Sequence, residues 1–259
     1  MPQILVPGAA RCQPAARHRG PSVPVVSAVM GETVEFQSNG NRASGYLARP
    51  SSGRGAGVVV VQEWWGLDDS LKEMADRLAA DGFVALAPDL YHGKVAGHTE
   101  MDKASQLMQS LPPDRAARDM SGAVDFLAGH DAVSGEGIGV VGFCMGGMLS
   151  LILAANRGDR IKAAVPFYGF PQGDTEPDWS GLTASVRGHM AENDGFFAPA
   201  AARALEAKLK GMGKDVVLTV HPGTGHAFMG PHNALGTLDE AKAAEIWPQV
   251  VAFLHEKLG

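Results

Sequence analysis

Four β-branched residues in a row, Val58-Val59-Val60-Val61, lie between Gly57 and Gln62. A strand with one wet face alternates apolar and polar side chains; an unbroken run suits a strand covered on both faces, as in a parallel sheet sandwiched between helices. The rest of the chain agrees. Thr33–Gln37 and Ser44–Ala48 alternate around Ser38-Asn39-Gly40-Asn41, the signal of a hairpin. Leu71–Asp81 has helical spacing (Leu71, Met74, Ala75, Leu78) and meets a C-capping glycine at Gly82. Phe83–Ala87 reads as a strand, followed by helices at 101–110 and 115–127 and a strand at Ile138–Val141. A helix at 145–155 comes next, then strands at Ala163–Phe167 and Val186–Met190, a helix at Ala200–Lys210, a strand at Val216–His221 and a closing helix over Leu238–Leu258. Strands alternating with helices predict one α/β domain with a mostly parallel sheet of about seven to eight strands and helices on both faces.

Residues 1–29 stand apart. They hold Pro2, Pro7, Pro14, Pro21 and Pro24, the bases Arg11, Arg17 and Arg19, and no Asp or Glu. They lack the apolar core of a secretory signal. They are expected to be a disordered extension, or an upstream start with Met30 as the first residue, so that 30–259 is the single domain. No run of 18 apolar residues is present, which excludes a membrane-spanning helix. The net charge of −6 argues against nucleic acid or an anionic membrane as a partner. The only cysteines are Cys12 and Cys144, too few for a disulfide framework. A lone core thiol without a signal predicts a cytoplasmic protein, a monomer or weak homodimer.

The chemistry concentrates in Gly142-Phe143-Cys144-Met145-Gly146, where a strand runs into a helix. This is the G-x-S-x-G nucleophile elbow with cysteine at its centre. The sharp turn holds the sulfur above the sheet. The N–H of Met145 faces a developing oxyanion, and the helix N-terminus favours a thiolate. The alternative is an inert buried cysteine in a glycine-rich turn.

A thiol nucleophile needs a base, and in such folds the acid and histidine follow in loops beyond later strands. Asp194 follows the strand at 186–190, and His226 follows the strand at 216–221. The competing residues are less well placed. His221 is still on its strand, Glu192 is nearer the strand end, and Asp174 and Asp178 sit in a polar loop. Glu63 ends the valine-rich strand beside Trp64 and Trp65, an expensive place for an acid without a partner. Either it faces Cys144 or it pairs with a nearby Arg or Lys. The same loop offers the Trp64 N–H as a second oxyanion donor. Trp65, Tyr91, His92, Phe143, Tyr168 and Phe228 are candidate pocket residues. H-E-x-x-H and clustered Cys/His spacing are absent, so neither metal nor organic cofactor is expected.

From Glu32 onward the sequence resembles the dienelactone hydrolases (carboxymethylenebutenolidases), which have the α/β-hydrolase fold. The resemblance rests on Gln62-Glu63-Trp64-Trp65-Gly66, Ala87-Pro88-Asp89-Leu90-Tyr91, Gly142-Phe143-Cys144-Met145-Gly146-Gly147, Asp194, and Gly223-x-x-His226-x-Phe228. It implies hydrolysis of a carboxylic ester or lactone by a Cys144–His226–Asp194 triad through an acyl-thioester. It also implies that Glu63 hydrogen-bonds the resting thiol and helps deprotonate it.

One departure matters. Members that act on dienelactone hold its carboxylate with two arginines. In the corresponding places this chain has His92-Gly93-Lys94 and Gly230. Losing bidentate recognition weakens binding of an anion, with Lys94 or His92 as partial substitutes. A promiscuous esterase or thioesterase acting on a neutral substrate is therefore the alternative, ahead of a non-catalytic ligand-binding homologue or a thiol redox sensor.

Overall fold

The computed structural model describes residues 31–259; the expectations for residues 1–29 and for Met30 lie outside that range. Eight strands form one sheet. They are β1 (Glu32–Ser38), β2 (Asn41–Ala48), β3 (Gly55–Val61), β4 (Val84–Pro88), β5 (Val133–Phe143), β6 (Ile161–Phe167), β7 (Ser185–Asn193) and β8 (Val216–Gly225). Their order is β1-β2-β4-β3-β5-β6-β7-β8. The hairpin β1–β2 and the pair β2–β4 are antiparallel, and every other neighbouring pair is parallel. The hairpin turns on Asn39 and Gly40, both at positive φ (45° and 85°), the geometry a two-residue type I′ turn requires.

The valine run of β3 is fully buried and feeds two cores. Val59 and Val61 pack with residues of α3 (Pro113–Ala128), α4 (Met145–Asn156) and α5 (Pro199–Gly211) on one face. Val58 and Val60 pack with residues of α1 (Asp69–Ala80) and α6 (Glu240–Leu258) on the other. This is the period-2 alternation of a strand with both faces covered. The remaining helix, α2 (Met101–Gln109), lies in the β4–β5 connection. Among the described residues, no helix is long and apolar enough to cross a membrane.

The boundaries move for identifiable reasons. Gly82 sits past the end of α1 at φ +100°, its N–H donating to Ala79 and that of Phe83 to Leu78. This Schellman closure takes the Phe83 N–H, so β4 begins at Val84 rather than Phe83. Asp239 caps α6 through the N–H of Lys242, which starts the helix at Glu240 rather than Leu238. β5 begins five residues before the expected Ile138 because Val133 and Ser134 pair with Gly55 and Ala56 across an irregularity, where glycines and a glutamate erase the apolar signal.

Topology then decides where a ligand can sit. Strand β3 leads to β4 on one side, while β5 lies on its other side. At such a reversal the strand ends open into a crevice, the usual ligand site of an open α/β sheet. The register places Val61 beside Gly142, so Glu63 and Cys144 leave adjacent strand ends. It also places Asn193 beside Gly225, so the next residues, Asp194 and His226, enter the same crevice together.

Candidate active site

Cys144 joins β5 to α4 with φ 54° and ψ −117°, a conformation disfavoured for any residue with a side chain. The surroundings hold it there. Its N–H donates to Phe167 (3.0 Å), and its carbonyl accepts from Gly147 (2.9 Å) and Met148 (3.2 Å). Two flanking glycines are required by contact. A Cβ on Gly142 would strike the carbonyl of Gly146, and one on Gly146 would strike the carbonyl of Val61. The elbow is therefore pressed between β3 and the first turn of α4.

Asp194 and His226 meet as the strand order predicts. Asp194 Oδ2 lies 2.8 Å from His226 Nδ1, the acid's side chain fully buried and the imidazole nearly so. The other Asp194 oxygen accepts the N–H groups of Phe196 (2.8 Å) and Phe197 (2.9 Å), which fixes the carboxylate. An acid so placed holds the imidazole in the tautomer with a proton on Nδ1 and leaves Nε2 as the acceptor. Glu192 is exposed and instead accepts the Gly223 N–H (2.9 Å), tying down the start of the histidine loop. His221 is buried, bonded to His189 rather than to any acid (3.0 Å). Asp178 caps a short 3-10 turn and Asp174 is exposed.

At the thiol the helix start acts as expected, the Met145 N–H favouring the thiolate, but it is outweighed: burial pushes the Cys144 thiol up, the negative charge of Glu63 pushes it further, and Asp194 adds to both. Desolvation of a charge outweighs the partial charge of one helix end. At rest the sulfur carries its proton.

Glu63 also differs from its implied role. It lines the same cavity as Cys144, but its hydrogen bonds go elsewhere: Oε2 lies 2.7 Å from Nε2 of His232, and Oε1 accepts from the Tyr168 hydroxyl at 3.4 Å. Its ionic partner is a histidine rather than an Arg or Lys. The Ala234 N–H points at Nδ1 of His232 (3.0 Å), so Nε2 carries the hydrogen that faces Glu63. Burial lowers the proton affinity of His232, but the hydrogen bond from Glu63 and the charges of Glu63 and Asp68 raise it on balance. With one proton or two, the ring donates to Glu63.

The cavity over Cys144 has a volume of about 250 Å³. Trp64, Trp65, Met145, Met148 and Phe197 form much of its wall with Glu63, His226 and His232, and Met108, Phe196 and Leu235 form an apolar rim, Phe196 being 58% exposed. Among the described residues no Lys or Arg lines it.

Of the expected pocket residues only Trp65 lines this cavity, next to Trp64, the expected oxyanion donor. Tyr91 is buried behind it, its hydroxyl against the Met145 sulfur (3.5 Å). Phe143 and Phe228 are core residues, and Tyr168 is buried with its hydroxyl on Glu63. His92 turns away to Asp119 (2.8 Å), and Lys94 is exposed, so neither takes the place of a pocket arginine. A large aromatic side chain at a strand end gains by moving into the core. The lining residues that sequence reading missed include His232, Met108, Met148, Phe196, Phe197 and Leu235. Met148 is one helical turn beyond Cys144, and the two phenylalanines directly follow the Asp194 loop, so their positions carried a signal. Among the described residues no cluster of three or more His, Cys, Asp or Glu has metal-binding geometry.

Residues 43–258 match the model of the dienelactone hydrolase family. The chain belongs to that family. It is therefore a hydrolase, of the group that acts on carboxylic esters. Protein usf of Aquifex pyrophilus is 39% identical over 235 residues, covering 88% of this chain and all of the relative. A protein of Aquifex aeolicus provisionally named a carboxymethylenebutenolidase is 34% identical over the same length and coverage. Among solved structures, a dienelactone hydrolase-like promiscuous phosphotriesterase from metagenomic libraries superposes with a TM-score of 0.75, at 24% identity, over 89% of this chain and 99% of its own. At that identity the likeness speaks for the α/β-hydrolase fold.

Proposed function

We propose that this hydrolase cleaves neutral carboxylic esters or lactones by acyl transfer to Cys144. The observation that carries the reading is the buried Asp194–His226 hydrogen bond beside the cavity floored by the cysteine. His226 Nε2 takes the thiol proton as the sulfur attacks the carbonyl carbon. The S–C bond forms, and the N–H groups of Met145 and Trp64 receive the negative oxygen. The C–O bond to the alcohol breaks, His226 returns the proton to the departing oxygen, and an acyl-thioester remains. Water then attacks the thioester, giving a proton to His226, and the acid leaves as the thiol is restored. Asp194 orients the imidazole throughout and stabilises its charged form.

A neutral substrate is favoured because, among the described residues, the wall holds no Lys or Arg to receive an anion, and His232 is already turned onto the Glu63 carboxylate. An anionic group brought into this apolar cavity loses hydration without gaining a bidentate partner. The phosphotriesterase named above acts on a different centre, and nothing in this cavity selects phosphorus over carbon.

Acid-quenched mass spectrometry during turnover of p-nitrophenyl acetate tests the reading. The expected result is an acetyl group on the peptide containing Cys144, no turnover by Cys144→Ala, and a higher rate on neutral than on carboxylate-bearing esters of similar size. Undiminished turnover by Cys144→Ala overturns the nucleophile assignment.

A further inference from the structure

We infer that His232 is a positioning residue that fixes Glu63 in the active-site wall and acts on turnover through it. The inference rests on the proposed ester hydrolysis at Cys144. Glu63 and His232 lie 169 residues apart in sequence, yet their side chains meet at 2.7 Å with 11% and 3% of their surfaces exposed. A carboxylate in so dry a place needs donors, and it has two, the His232 ring at 2.7 Å and the Tyr168 hydroxyl at a weaker 3.4 Å. His232 is the stronger of them, so it decides where the carboxylate points.

His232 is itself held. The Ala234 N–H fixes its Nδ1, the ring lies 4.4 Å from that of His98, and His98 is anchored by Asp68 at 2.7 Å. Trp65 packs edge-on against both imidazoles, at 6.0 Å and 5.2 Å between centroids. A structural ion pair is normally placed on the surface; this one borders the sulfur, and its acid is among the charges that keep the thiol protonated. Moving Glu63 by an ångström changes both that field and the space left for a carbonyl at Cys144.

The experiment is a double-mutant cycle on the full chain with p-nitrophenyl acetate, comparing wild type, His232→Ala, Glu63→Gln and the double variant. His232→Ala is expected to lower kcat on the order of 10-fold with KM changed less than about twofold. In the Glu63→Gln background it is expected to cost nothing further. His232→Gln, which retains an N–H able to reach the carboxylate, is expected to recover most of the loss. Equal losses in both backgrounds, no loss in the wild-type background, or a Gln variant as poor as Ala would overturn the inference. Should His232→Ala fail to fold, His232→Asn, too short to span to Glu63, takes its place in the cycle. An inactive Cys144→Ala together with additive His232 effects would leave the nucleophile reading standing and remove this one alone.

Discussion

At the crevice His226 is paired with Asp194 and His232 with Glu63; in the body of the sheet His189 and His221 are paired only with each other. Exposure does not separate them, since His226 is 6% exposed and His189 and His221 are each 8% exposed. Their partners do. A carboxylate gives an imidazole a reason to accept a second proton during a reaction. A second, neutral imidazole brings no negative charge to stabilise that proton. His189, stacked on Phe167 and on His221, has its pKa lowered to about 3, first by burial and then by its neighbour. The lesson is that a buried histidine is read by what it is bonded to and by which strand end carries it. His226 and His232 both lie in the segment between β8 and α6, whereas His189 and His221 lie on β7 and β8 themselves.

The strongest attempt to break this contrast is to exchange one histidine of each kind for glutamine. His226→Gln is expected to lower kcat by about 10²- to 10⁴-fold, the usual worth of a general base. His221→Gln is expected to leave kcat within about threefold while lowering the unfolding midpoint in denaturant, because it touches packing and not proton transfer. Comparable kinetic losses would erase the distinction. Next in size, Asp194→Asn is expected to reduce kcat on the order of 10²-fold with little change in KM, since it removes the acceptor that sets the His226 tautomer.

A smaller effect appears in the acid range. His189 is neutral in the folded protein down to about pH 3, while the unfolded chain protonates it near 6.5. The unfolded state therefore binds more protons between these values, and stability falls as pH is lowered through that window. The contribution is at most about 1.4 kcal/mol per pH unit. Denaturant unfolding at pH 6.5, 5 and 4 should show that slope reduced in His189→Gln; an unchanged slope would mean that the imidazole pair is not what makes the fold acid-sensitive. The smallest effect sharpens the picture of the crevice itself. Phe196→Ser at the rim is expected to reduce kcat/KM for a hexanoate ester by about three- to fivefold relative to acetate, because a half-exposed ring offers an acyl chain only a small apolar contact to lose. A matched loss on both esters would place the acyl chain elsewhere.

The frame of the molecule was largely legible in the sequence, and the reasons are local. Valine runs, glycine caps and the strand–turn–helix at Cys144 each act over a few residues, so their meaning survives without coordinates. Asp194 and His226 were legible because neighbouring parallel strands end at the same edge of a sheet. The wall of the cavity was not. Met108 reaches it from α2 and Leu235 from the loop before α6, elements whose docking depends on contacts far away in the chain. His232 lies six residues beyond His226 in a stretch of Gly, Pro and Asn without periodicity, and nothing local announces that it will meet Glu63. At Cys144 the helix terminus is visible in sequence, whereas the desolvation and the approach of two carboxylates that outweigh it and keep the resting thiol protonated are not.

That state has a consequence beyond turnover. Peroxides and electrophilic metabolites react with the anionic form of sulfur, and oxidation beyond the sulfenic stage is not undone by ordinary thiol reductants. Under the proposed acyl transfer, a nucleophile whose proton is held in place by burial offers such reagents little to attack until an acyl group arrives to receive the sulfur.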